Sequence, residues 1–145
     1  MTIKLALIDD DADDRDLFSE AVTEINMNID CFASARMEDV LAEISGLTAK
    51  VPDAIFIDVN MPDFSGWDCL STLKANPLFD SVPIIMYSTS GNERDREQAE
   101  RLGAIGFLRK PTDFEKLKSV LKEIAYLIQR FTFTKDTFSQ VAGTI

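Results

Sequence analysis

Residues 54–62 read Ala54-Ile55-Phe56-Ile57-Asp58-Val59-Asn60-Met61-Pro62. The four leading residues are all apolar, with no polar alternation, and this describes a short strand buried on both faces. It stops on a single aspartate ahead of a Met-Pro turn. Four other short runs resemble it: Ile3 to Ile8, Ile29 to Phe32, Pro83 to Tyr87 and Ile105 to Leu108. Helical periods fill the gaps between them. Leu17, Phe18, Ala21, Val22 and Ile25 recur at helical spacing, as do Val40, Leu41, Ile44 and Leu47, and then Trp67, Leu70 and Leu73. A last stripe runs through Phe114, Leu117, Leu121, Ile124, Ile128 and Phe131. Asn92 to Leu102 offers only Ala99 and Leu102 as apolar positions, so a weakly buried, mobile helix is expected there. Strands that alternate with helices predict an α/β fold, a doubly wound parallel sheet with helices on both faces. Ligands of such sheets bind at the carboxyl ends of the strands.

The chain has 145 residues, enough for one domain with a layered core. Its net charge is −10 and it contains no histidine. The missing imidazole excludes a Ser-His or Cys-His relay, a His-ligated zinc and a phosphohistidine of the chain's own. The negative field argues against nucleic acid and against an anionic membrane as partners. Leu5 to Ile8 is too short for a signal peptide or a membrane span, so a cytoplasmic protein is expected. Cys31 and Cys69 have no CxxC spacing and read as buried free thiols.

The strand ends concentrate the polar chemistry. The first strand runs into Asp9, Asp10 and Asp11, the third into Asp58, the fourth into Ser88 and Thr89, and the fifth into Lys110-Pro111. Carboxylates gathered on one rim repel each other, and a counter-charge is needed to keep them ionised. A divalent cation supplies it: Asp9, Asp10 and Asp58 balance Mg²⁺ plus Lys110. Mg²⁺ suits the set because it takes oxygen ligands from few carboxylates and retains waters. Such a site would also hold a phosphoryl group. Asp11 reads as a helix N-cap, and Asp13, Asp14 and Asp16 as acids favoured by the positive end of a helix. Ser88 could instead cap the next helix or bond a local backbone group, and Lys110 taken singly would read as a surface lysine, raised only by its place after a strand and before a proline.

These residues resemble the receiver domain of bacterial two-component response regulators, the stand-alone single-domain chemotaxis type in particular. The resemblance covers residues 3 to about 128 and rests on four segments in order. They are Leu7-Ile8-Asp9-Asp10; Ile57-Asp58-Val59-Asn60-Met61-Pro62 with Gly66; Pro83-Ile84-Ile85-Met86-Tyr87-Ser88; and Gly103-Ala104 with Lys110-Pro111. It implies a flavodoxin-like sheet of order 2-1-3-4-5. Asp58 would accept a phosphoryl group from a sensor histidine kinase or histidine phosphotransfer protein. Asp10, Asp58 and the backbone carbonyl of Asn60 would hold Mg²⁺, with Asp9 acting through a metal-bound water. Lys110 and Ser88 would contact the phosphoryl oxygens. Ser88 and Phe107 would form a switch pair that biases the face of the fourth helix, fifth strand and fifth helix toward a downstream protein target. The Lys110-Pro111 peptide would be cis. The only catalysis implied is the chain's own phosphorylation and slow dephosphorylation.

Two other assignments fit parts of the pattern. One is a haloacid-dehalogenase-like phosphatase with Asp9 as nucleophile and Asp11 as acid-base; the other is a receiver-shaped module that only binds a partner. The expected domain spans residues 1–131. Residues 132–145 lie outside it, with no separate output domain: Phe131, Thr132, Phe133 and Thr134 alternate with period two, which fits a short extended segment or a frayed terminus. Val120 and Leu127 lie beside the last helix's core stripe and hint at a homodimer surface.

Overall fold

A computed structural model describes residues 1–44, 50–62 and 64–143. The strands are β1 (Ile3–Ile8), β2 (Ile29–Ser34), β3 (Ala54–Asp58), β4 (Ile84–Ser88) and β5 (Gly106–Arg109). The helices are α1 (Ala12–Glu24), α2 (Met37–Glu43), α3 (Gly66–Lys74), α4 (Glu93–Arg101), α5 (Phe114–Gln129) and α6 (Lys135–Ala142), with a 3₁₀ turn at Pro77–Phe79. All strand pairings are parallel, in the order β2-β1-β3-β4-β5. This is the doubly wound flavodoxin-like sheet expected from the sequence. Leu47 of the second helical stripe lies outside the described residues.

Alternation along the strands divides the core into two layers. Leu5, Leu7, Ala54, Phe56, Ile85, Tyr87 and Leu108 face α1 and α5, whereas Ala6, Ile8, Ile55, Ile57, Ile84, Met86 and Phe107 face the opposite way with Val40, Leu70 and Leu73. The central strands β3 and β4 are buried at every position, which is why they read as unbroken apolar runs. Phe18, Phe56 and Tyr87 meet edge to face beneath the carboxyl ends of these strands, with centroids 5.1 to 6.1 Å apart. Gly66 opens α3 at the same end. A Cβ there would stand 2.1 Å from the Asp58 carbonyl oxygen, so only glycine lets the helix start close against the strand. The weakly apolar α4 buries only Ala99.

The C-terminal segment departs from the extended or frayed tail that its alternation suggested. It forms α6, started by a capping box between Thr134 and Thr137. Phe138 is buried against Gly106 of β5, where a Cβ would come within 2.3 Å of the ring, and Phe133 packs on Phe138 at 6.1 Å. Lys135 pairs with Glu100 of α4. Phe131 is not the last residue of the core stripe. It is 87% exposed with φ 57°, just past the end of α5, where its N–H donates to Ile128 O and the Thr132 N–H to Leu127 O. That is a Schellman turn, and it breaks the helical period. Val120 is buried inside the chain, and Leu127 shares a groove with Thr137 and Val141 of α6. The apolar pair that hinted at a homodimer is thus turned toward the chain's own last helix.

Candidate functional site

The site is built on the carboxyl ends of β1, β3, β4 and β5, where backbone ladders stop and side chains turn inward. Asp9 follows β1 and is fully buried. Its Oδ1 accepts from the Asp11 N–H at 3.0 Å, and its Oδ2 from Lys110 Nζ at 2.8 Å. Arg15 Nη1 donates to the Asp9 carbonyl at 2.8 Å and ties the start of α1 to the strand end. Asp10 is exposed on the rim. It lines an open groove of about 540 Å³ with Met37, Met61, Pro62 and Phe64. Asp58 ends β3 with its side chain 8% exposed, and its Oδ1 lies 3.5 Å from Lys110 Nζ.

One carboxylate oxygen from each of Asp9, Asp10 and Asp58 lies within 4.8 Å of the others. Burial raises the Asp58 pKa to about 6, helped by the charge of Asp9 and opposed by Lys110 and by the Asn60 amide. This group therefore resists its own ionisation, and added positive charge would relieve it. Three oxygen donors in a compact set, one of them open to solvent, fit a hard divalent cation.

Lys110 sits at the centre of the cluster. Burial acts to lower its pKa, but hydrogen bonds to Asp14 and Asp9, with the charges of Asp9 and Asp58, outweigh it and hold the ammonium above its ordinary value. Its Nζ lies 5.2 Å from the centroid of the Tyr87 ring, which forms the floor of the site. The Lys110–Pro111 peptide, implied to be cis, is trans. Trans is the lower-energy isomer of an X–Pro bond by about 0.5–1 kcal/mol, and in this isomer the ammonium already reaches three carboxylates.

Ser88 is fully buried at the end of β4. Its Oγ accepts from the Ser90 N–H at 3.3 Å and lies 3.5 Å from Asn60 Nδ2. Asn60 itself is exposed beside Asp58. Phe107 is 3% exposed and faces the α3–α4 side of the sheet, with the Arg96 guanidinium 5.5 Å from its ring centroid. The ring is thus already turned inward, and Ser88 is bonded to its own loop.

Two contributors escaped the sequence reading. Asp14 reads as one more acid at a helix start, yet its Oδ2 receives Lys110 Nζ at 2.7 Å. Tyr87 reads as an ordinary strand residue. Asp11 behaves as expected and caps α1 through the amides of Asp13 and Asp14. That use of its carboxylate, together with the complete burial of Asp9, argues against the phosphatase assignment.

The acidic rim and the half-buried lysine stand at the carboxyl ends of the strands, where doubly wound sheets bind their ligands. Residues 5–122 match the response regulator receiver domain, and the chain belongs to that family. It is 29% identical over 130 residues to the sensory transduction protein BceR of Halalkalibacterium halodurans, covering 89% of this chain and 52% of the relative. The chain therefore spans about half the length of that relative. Among solved structures it is similar to a phosphorylated cyanobacterial phytochrome response regulator, RcpA, with a TM-score of 0.77 and 23% identity over 92% of this chain and 99% of the other. It is similar also to the chemotaxis response regulator CheY4 of Vibrio cholerae, at a TM-score of 0.70 and 24% identity over 84% and 98%. Among the described residues no helix is long and apolar enough to cross a membrane.

Proposed function

We propose that this chain is a receiver that takes a phosphoryl group from a phosphohistidine onto Asp58 and thereby controls a protein partner. The observation that carries the reading is the position of Asp58, nearly buried, with oxygens of Asp9 and Asp10 within 4.8 Å and the Lys110 ammonium at 3.5 Å. Asp9, Asp10, Asp58 and the Asn60 carbonyl would hold Mg²⁺. Bound there, the cation would offset the negative charge shared between the aspartates and an incoming phosphoryl group.

The chain's own residues do the rest. Asp58 Oδ attacks phosphorus as the P–N bond to the donor imidazole breaks, and the freed imidazole nitrogen takes up a proton. The donor approaches over the groove lined by Met37, Met61 and Phe64. Lys110, held by Asp9 from the far side, neutralises a phosphoryl oxygen through the loose transition state. The Ser88 hydroxyl, released from the Ser90 amide, bonds a second oxygen. Because Phe107 of β5 packs against Arg96 of α4, that movement biases the α4–β5–α5 face seen by the downstream protein. The chain has no histidine, so the imidazole comes from a sensor histidine kinase or a histidine phosphotransfer protein.

The test is mass spectrometry after incubation with a small acyl phosphate and Mg²⁺. One phosphoryl adduct on wild-type protein and none on Asp58→Asn is expected. An equal adduct on Asp58→Asn would sink the assignment.

A further inference from the structure

Lys110 is the counter-charge for the acidic rim, and most of its bonding capacity is already spent. An ammonium has three N–H donors. Two of them make short bonds, to Asp14 at 2.7 Å and to Asp9 at 2.8 Å, while the proposed phosphoryl acceptor Asp58 stands off at 3.5 Å. One N–H is left, and a phosphoryl group arriving on Asp58 brings several anionic oxygens to this single ammonium, so Asp9 and Asp14 compete with it for the same charge. The two partners differ in what release would cost. Asp9 is 0% exposed and its other oxygen is bound to the Asp11 amide, so its charge has nowhere to go. The Asp14 side chain is 31% exposed and sits in the first turn of α1, where water can replace the lysine. Arg15, the next residue, is directed elsewhere, to the Asp9 carbonyl.

We propose that Asp14 is a positioning residue whose carboxylate competes with the phosphoryl group on Asp58 for Lys110, and that it is the partner that gives way. It acts through the lysine. Held there, the carboxylate keeps the ammonium in a defined rotamer in the resting state; displaced, it leaves a negative charge beside the phosphoryl oxygens. Both effects weaken the phosphorylated state. The inference rests on the phosphoryl-acceptor reading given above, and it adds a residue that sets how strongly the switch holds.

Beryllofluoride, a tetrahedral stand-in for a phosphoryl group on a carboxylate, tests it without a kinase. Its affinity would be titrated calorimetrically at saturating Mg²⁺ on wild-type protein and on Asp14→Ala, Asp14→Asn and Asp14→Glu. Loss of a charge-assisted competitor should tighten binding about three- to tenfold in the Ala and Asn variants. The Glu variant, which keeps the charge, should stay at the wild-type affinity. A residue that merely started the helix would lower thermal stability in these variants without raising affinity. Binding by wild type with unchanged or weaker binding by Asp14→Ala would overturn the role of Asp14 alone. No binding by wild type would overturn the phosphoryl-acceptor reading, and this inference with it.

Discussion

Asp58 is expensive to keep charged, and the sign of that cost can be read from its surroundings. Its pKa rises from 3.8 to about 6 through burial and the neighbouring Asp9 charge. Between those values the folded chain binds more protons than the unfolded one, so this group's contribution to stability falls as pH rises through 4 to 6 and stays lost above that. In chelator, Asp58→Asn should therefore stabilise the chain at pH 7.5 by about 1–3 kcal/mol, at roughly 1.36 kcal/mol per pKa unit. The advantage should vanish near pH 4, and urea unfolding at the two values checks it. An equal effect at both pH values would assign the change to packing. At this scale Asp9, Asp10, Asp58 and Ser88 were legible because each ends or follows an apolar run, where a polar residue has no packing reason to be. Asp14 was not legible: an acid in the first turn of a helix already has an ordinary explanation in the helix dipole, and its contact with Lys110 crosses most of the chain.

Among the elements, α6 shows how a short pattern misleads. Phe131, Thr132, Phe133 and Thr134 alternate like a strand, yet Phe131 lies in a left-handed turn and Thr134 is an N-cap. The helical signal lay further on, in Phe138, Val141 and Ala142, too few apolar positions to outweigh the alternation. What holds the helix is tertiary. Phe138 fills the space left by the missing side chain of Gly106, and Lys135 reaches Glu100 across the edge of β5. A free sheet edge invites pairing with another chain, and a covering helix prevents it. Truncating a buried Phe to Ala commonly costs about 3–5 kcal/mol. Since α6 packs on the edge strand β5 and on α5, away from the central strands, Phe138→Ala should release it locally rather than unfold the domain. Amide exchange across 135–142 should then accelerate by on the order of 100-fold, with β1 and β3 unchanged. Equal acceleration in the central strands would show that α6 belongs to the cooperative core.

For the whole molecule, the net charge of −10 is unevenly placed, with the acid excess gathered around β1 and the start of α1. Folding brings those acids to the end of β3 and sets the half-buried Lys110 ammonium among them. A divalent cation that binds only the assembled rim should stabilise the fold by about 2.7 kcal/mol at a hundredfold excess over its dissociation constant. Scanning calorimetry with and without Mg²⁺ should show a rise of several degrees, strongly reduced in Asp10→Ala. A shift of the same size in that variant would place the cation elsewhere.

Local pattern determined the elements, the two-faced sheet and the strand ends, because solvent exclusion leaves a periodic record along the chain. The family's motifs added the strand order. Only the tertiary structure decided which acids share Lys110, that Tyr87 floors the site, that Phe107 is already turned inward and that the last residues fold back as a helix on β5. Those facts depend on distances between residues remote along the chain, and such distances are set by how layers pack, which no local periodicity encodes.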